Sequence, residues 1–227
     1  MKKVFGLAVL ALFLSTNSWA EDSEHCGCSH SHWYQDMHLA PSWYAGASFA
    51  QNTFSNWSFP GAFNDGSFTS AQEDDRDTGL GIFAGVDFLK YFALEAGYVD
   101  FGEATFRAQS NGSGSAWAAG PVTDSLSLKG YDLNLIGKLR AFKSTALFAR
   151  VGALQTEKRQ YTTGSKFGGA FTSDGDSTRF SYGAGIEYDG FRPLRLDAGY
   201  STAVFGPMAG WGDSRVGSFG LSLAYLF

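Results

Sequence analysis

His25, Cys26, Cys28, His30, His32 and His38 gather both cysteines and all four histidines of the chain into one short stretch near its start. Thiolates and imidazoles this close supply enough soft and borderline donors for an ion such as Zn²⁺ or Cu⁺, and Gly27 leaves the backbone free to turn both sulfurs the same way. The Cys-x-Cys spacing differs from the Cys-x₂-Cys of structural zinc folds. Two other readings stand beside metal binding. The pair can oxidise in an oxidising compartment, where a Cys26–Cys28 disulfide would close a small, strained and easily reduced ring. The stretch can equally be a tail without a role. No cofactor is required by any other part of the chain.

A second set of chemically capable residues is spread along alternating segments: Asp87, Glu95, Asp132, Lys138, Arg150, Glu187, Arg195 and Asp197. Each sits on the small or polar side of a stretch whose other side is apolar. Five acids and three bases on one common face would be mutually paired in a closed interior, because an ion out of water is tolerated only when compensated. The same charges would be a selectivity filter if the interior conducted. A third set, Glu73-Asp74-Asp75-Arg76-Asp77, clusters carboxylates that bind hard cations, with a solvated acidic rim as the plainer reading.

The elements that must position these groups are strands. At the carboxyl end Phe219, Leu221, Leu223, Tyr225 and Phe227 alternate with Ser218, Gly220, Ser222 and Ala224. That is the two-residue period of a strand with one face toward lipid and one toward a crowded interior. Seven more segments read likewise: Trp43–Gln51, Gly79–Phe88, Tyr91–Phe101, Ser125–Arg140, Thr145–Tyr161, Ser177–Asp189 and Leu194–Val204, with Ser214–Phe227 as the eighth. Short turns near Leu89, at 141–144 and at 190–193 alternate with longer Gly-, Ser-, Asn- and Asp-rich connections at 52–78, 102–124, 162–176 and 205–213. Short turns on one side and long loops on the other are the rule for barrels that cross an outer membrane. The expected fold is an all-β, eight-stranded antiparallel transmembrane barrel over residues 42–227, its external loops long and its periplasmic turns short.

The front of the chain fixes the compartment. Lys2 and Lys3, the apolar run Val4–Leu14 and the small-x-small triplet Ser18-Trp19-Ala20 read as a secretory signal over residues 1–20, with Glu21 as the mature start. The apolar run is too short to cross a bilayer as a helix, which takes about 20 residues. Residues 21–41, with the Cys/His stretch, would then lie on the periplasmic side. Net charge is −5, and loss of Lys2 and Lys3 takes it to −7; nucleic acid is not a partner for so acidic a chain. Aromatics make up 16% of the residues, and Gly 29 of them, as aromatic girdles and a tight interior require. Trp43, Tyr44, Tyr91 and Tyr225 read as the periplasmic girdle, Tyr98 and Trp211 as the outer one. Phe54, Trp57, Phe59, Phe63 and Phe68 make the first long connection aromatic.

Trp43-Tyr44-Ala45-Gly46-Ala47, Gly85-Val86 with Phe92-Ala93-Leu94-Glu95-Ala96-Gly97-Tyr98, Leu147-Phe148-Ala149-Arg150-Val151-Gly152 and Gly185-Ile186-Glu187-Tyr188 together resemble the transmembrane domain of the OmpA-like small outer-membrane barrels. The resemblance implies a bacterial outer-membrane location, a non-enzymatic role in envelope integrity and surface contact, and core charges at Glu95, Arg150, Glu187 and Arg195. It also implies partners: outer-membrane lipid and lipopolysaccharide, the barrel-assembly machinery through the strand ending at Phe227, and a loop ligand of unknown identity. The family's peptidoglycan-binding domain has no counterpart after the last strand, so wall anchoring is not carried over. A small or gated passive pore and periplasmic metal binding are the alternatives. Enzymes among such barrels generally use a His as base or metal partner, and every His here precedes the first strand.

Overall fold

A computed structural model describes residues 41–55, 65–166, 169–205 and 214–227. The expected signal sequence, the Cys/His stretch, Trp57, Phe59, Phe63 and Trp211 lie outside the described residues. Nine strands are present among the described residues: β1 (Ser42–Ser55), β2 (Phe68–Asp74), β3 (Arg76–Leu89), β4 (Phe92–Ser110), β5 (Gly120–Phe142), β6 (Thr145–Ser165), β7 (Gly169–Phe191), β8 (Leu194–Phe205) and β9 (Ser214–Leu226).

All pairings are antiparallel. Neighbours in sequence pair from β3 through β9, and β9 pairs with β1, which pairs with β3, so eight strands close into a ring. Strand β2 belongs to the same wall as β3: both pair with β4, and the chain breaks between them at Asp75, whose carbonyl accepts a hydrogen bond from the Phe54 amide at 2.8 Å. Closure leaves no open edge within the bilayer, where an unpaired backbone group has no water to turn to. Phe227 donates its amide to the Trp43 carbonyl at 2.9 Å, stitching the last residue to the first strand.

The expected parity holds. Leu80, Ile82, Leu94, Leu133, Leu135, Leu147, Val151, Ile186, Leu196, Phe219, Leu221 and Leu223 are all exposed, forming the apolar outer band. Trp43, Tyr91 and Tyr225 are exposed near the short-turn end. Tyr98 packs against Tyr131 with ring centroids 5.0 Å apart. Tyr44 is the exception. It alternates with Trp43 and Ala45, so it points inward and is 1% exposed; it is a lumen residue and not part of the girdle.

The strands run further than their apolar pattern. Most of the expected loops at 102–124 and 162–176 are strand, as are parts of 52–78, so that only 111–119 joins β4 to β5. Beyond the bilayer the outer face meets water, and the inner face is buried with polar Asp124, Thr156, Gln160 and Thr162 beside apolar Val122, so the apolar–polar alternation that announces a strand fades. Within β4 the register shifts between Asp100 and Gly102, with Gly102 at φ 81°. This glycine bulge puts one extra residue into the strand and reverses which side chains face inward. Glu95, Gly97, Val99 and Phe101 point in below it; Ala104, Phe106 and Ala108 point in above.

Candidate functional site

Three layers fill the barrel from the periplasmic end outward. The lowest is ionic. Lys138 Nζ lies 2.7 Å from Asp87 Oδ1 and 2.8 Å from Glu187 Oε2. Arg195, 2% exposed, reaches Asp197 at 3.4 Å, Glu187 at 3.6 Å and Asp87 at 3.8 Å. Its guanidinium also sits 3.8 Å from the centre of the Tyr44 ring. Tyr44 donates its hydroxyl to Glu95 at 3.3 Å, and Glu95 faces Arg150 at 3.6 Å. Asp132 takes a hydrogen bond from the Asn134 amide at 2.6 Å. All eight charges expected in the lumen are thus gathered there. Glycines make the room: a Cβ at Gly85 would enter the Tyr44 ring, and one at Gly97 would stand 2.5 Å from Asp132 Oδ1.

The middle layer is a chamber of about 140 Å³ of mixed character, where Asn52, Glu95, Asp132 and Arg150 share the wall with Phe83, Phe101, Phe148 and Leu154. The upper layer is apolar. Phe54, Phe101, Ala104, Leu126, Leu128, Leu154, Ala203 and Val216 pack together, each under 10% exposed. The lower half is apolar in part as well: Ala93, Ile136, Phe148 and Ala224 are buried around Tyr44 beside the charges. Phe54 belongs to the upper layer rather than to a loop, because it follows Tyr44 and Asn52 on the inward face of β1.

Above the bilayer the hairpins are tied to one another. The Asp65 carboxylate accepts the amides of Ala116 at 2.6 Å and Ser67 at 3.1 Å. Hydrogen bonding from Ser67 and from the Ala116 amide holds this carboxyl down at about 2. Ser67 and Ser110 share a hydroxyl contact at 2.9 Å. On the other side Ala118 donates to Gly164 and Lys166 to Ala116, both at 2.9 Å, while Lys166 Nζ caps Gly112 and Gly114. Phe68, Phe106, Trp117 and Val122 form an apolar knot beneath these ties. Asp124, completely buried on the inner face of the protruding wall, is held by Thr162 and by Gln160 at 3.2 Å; burial pushes its carboxyl above the usual range.

Asp74, Asp75, Arg76 and Asp77 sit at the β2–β3 break. Asp77 accepts the amides of Thr78 and Glu103 at 2.7 Å, and Asp74 that of Arg76 at 3.4 Å. These carboxylates shape the break. No three His, Cys, Asp or Glu side chains converge on a metal-holding point among the described residues. The six Cys/His candidates are outside them.

A closed antiparallel ring with an apolar outside and a charged inside is an outer-membrane architecture. Residues 7–227 match the family model described as the outer membrane protein beta-barrel domain. The chain belongs to that family. It is a bacterial outer-membrane protein. Among solved structures it is similar to Neisserial surface protein A, at 17% identity and a TM-score of 0.51, covering 83% of this chain and 100% of that one. OprG from Pseudomonas aeruginosa is 14% identical, with a TM-score of 0.49 over 85% of this chain and 98% of that one. Ail from Yersinia pestis is 13% identical, with a TM-score of 0.45 over 82% and 99%. No curated protein sequence matches the chain.

The family match does not assign the lumen or the rim. Sequence reading missed Tyr44, the apolar layer and the Asp65 ties. Strand parity alone would have found Tyr44 and Phe54 on β1; the Asp65 ties join residues far apart in the chain and left no local mark.

Proposed function

We propose that this barrel is a non-enzymatic envelope protein that makes contacts outside the cell through its protruding hairpins. One observation carries the reading. β5, β6 and β7 contain 23, 21 and 23 residues, whereas about 9–11 suffice to cross the bilayer. The surplus builds a wall beyond the membrane, braced at its tip by hydrogen bonds between three connections. Stiff strands with braced tips present a fixed surface, and binding resides in such external connections while the scaffold only holds them.

Two further features support this reading over a pore or an enzyme. The ionic layer and the apolar layer stand in series along the lumen, which favours a plugged barrel over a passive channel. Every His precedes β1, away from the external rim where barrel enzymes act on lipid. Outer-membrane lipid and lipopolysaccharide would meet the apolar band, and the exposed β9 face with Phe227 would be what the assembly machinery reads. Metal handling by the Cys/His stretch is a separate property that Zn²⁺ or Cu⁺ titration of the whole mature chain would reveal.

The test is deletion with complementation. Loss of the gene should weaken adhesion of cells to host or abiotic surfaces and raise detergent sensitivity, leave lipid A unchanged by mass spectrometry, and be reversed by the intact chain. Lipid A altered by the deletion would overturn the non-enzymatic reading. Discrete single-channel steps from the purified barrel in planar bilayers would favour the pore.

A further inference from the structure

The periplasmic end is cationic in an otherwise acidic chain. Lys90, Arg140, Lys143 and Arg192 stand at or beside the three short turns. Against them is Asp189, whose carboxylate pairs with Arg140 at 3.0 Å and Arg192 at 3.8 Å. The carboxyl terminus at Phe227 is beside Trp43 on another part of the ring, where β9 runs between β1 and β8. Lys90 enters β4 and Lys143 leaves β5, so these two cations flank the seam where β4 pairs with β5.

Just above that seam's lower end the apolar outer band has a gap. Tyr131, Leu133, Leu135 and Leu139 are the exposed outward side chains of β5, and Gly137 stands between the last two. A Cβ at Gly137 would meet Phe92 Cε1 at 4.0 Å and nothing nearer, so no neighbour in the protein requires a glycine there. Gly85 and Gly97 differ, because Tyr44 and Asp132 occupy the space their side chains would take. The gap forms a shallow groove of about 400 Å³. Phe92, Gly137 and Ala149 are cross-strand neighbours in one row, with Leu139 and Leu147 in the row nearer the turns. Tyr91 lines the same groove, and Lys90 Nζ stands 5.5 Å from the centre of its ring. Lys138 and Phe148 meet the floor from the lumen side, where Asp87 and Glu187 take the Lys138 ammonium.

We propose that this groove and the turns below it hold one anionic phospholipid of the periplasmic leaflet, with an acyl chain over Gly137 and the phosphate against Lys90 and Lys143. Two independent features point to the same occupant. In hydrocarbon the groove gains only van der Waals packing, which any acyl chain supplies. The cations then select the headgroup, each Lys or Arg beside an anionic lipid surface being worth about fivefold in affinity.

The experiment uses the full mature chain refolded into vesicles of equimolar phosphatidylglycerol and phosphatidylethanolamine with identical acyl chains. The protein is extracted in mild detergent and its retained lipid identified by native mass spectrometry. The parent should retain one lipid, with phosphatidylglycerol favoured by at least about fivefold. Gly137→Leu fills the groove and should lose most of the retained lipid. Lys90→Gln combined with Lys143→Gln should bring the two headgroups to equal retention. Ala198→Leu, an enlargement on the outward face of β8, should behave as the parent. Circular dichroism confirms the sheet in each variant before weighing. Equal retention of both lipids by the parent, or none of either, would overturn the proposal without recourse to a variant. Retention undiminished in Gly137→Leu, or lost as fully in Ala198→Leu, would overturn the groove as the place. A headgroup preference that survives the double lysine change would overturn the role given to the turns.

Discussion

The guanidinium of Arg195 lies over the ring of Tyr44, 3.8 Å from its centre, while the Tyr44 hydroxyl donates to Glu95 at 3.3 Å. One tyrosine thus joins two ion-pair groups: Arg195 with Asp87, Glu187 and Asp197 on one side, Glu95 with Arg150 on the other. Arg195→Ala would leave buried Asp197 without its nearest cation and Asp87 and Glu187 with Lys138 alone, and should cost about 3–5 kcal/mol. Tyr44→Phe keeps the ring beneath Arg195 and loses one hydrogen bond, so it should cost about 1 kcal/mol. Urea unfolding in vesicles, followed by tryptophan fluorescence, separates the two.

Gly85 is a glycine because Tyr44 lies on it. A Cβ there would meet the phenol ring and come within 2.8 Å of the Leu94 carbonyl. Gly85→Ala should therefore destabilise by about 1–3 kcal/mol. Combining it with Tyr44→Ala should cost less than the two changes added, a coupling that a double-mutant cycle in the same assay measures.

The apolar layer is the expected barrier to ions. Leu126 on β5 and Leu154 on β6 both belong to that layer, opposite Gln160 and Asp132 respectively, and are 1% and 2% exposed. The double change to glycine should give a measurable conductance in planar bilayers where the parent gives none. Equal currents from both would place the barrier elsewhere.

Asp65 should make the rim sensitive to acid. Its folded-state pKa, at about 2, lies below the ordinary aspartate value, so its contribution is present above pH ~4 and disappears as pH falls toward 2. Amide hydrogen exchange at Ala116 and Ser67 should accelerate over that interval. Asp65→Asn should exchange fast at every pH.

Asp124 has the opposite sign. Burial raises its carboxyl pKa, so the folded protein holds a proton that the unfolded chain has released. Its contribution is full below pH ~4 and declines as pH rises through the folded-state value. Asp124→Asn removes that decline, and its unfolding midpoint should gain on the parent between pH 4 and pH 8.

The sequence by itself determined the strands that cross the membrane, their inward and outward faces and the eight lumen charges. All of these follow from a two-residue period imposed by lipid on one side and a crowded interior on the other. Where that contrast ends, so does the signal: the surplus length of β4 to β7 reads as loop because its outer face is polar and its buried inner face mixes polar Asp124, Gln160 and Thr162 with apolar Val122 and Phe106. The bulge at Gly102, which turns Ala104 and Phe106 inward, shows no period of its own. Tertiary structure alone decided the pairing of Arg195 with Tyr44, the chamber left between ionic and apolar layers, and the tie from Asp65 to Ala116. Each joins residues from strands or loops distant in the chain, and closure of the ring sets their distances.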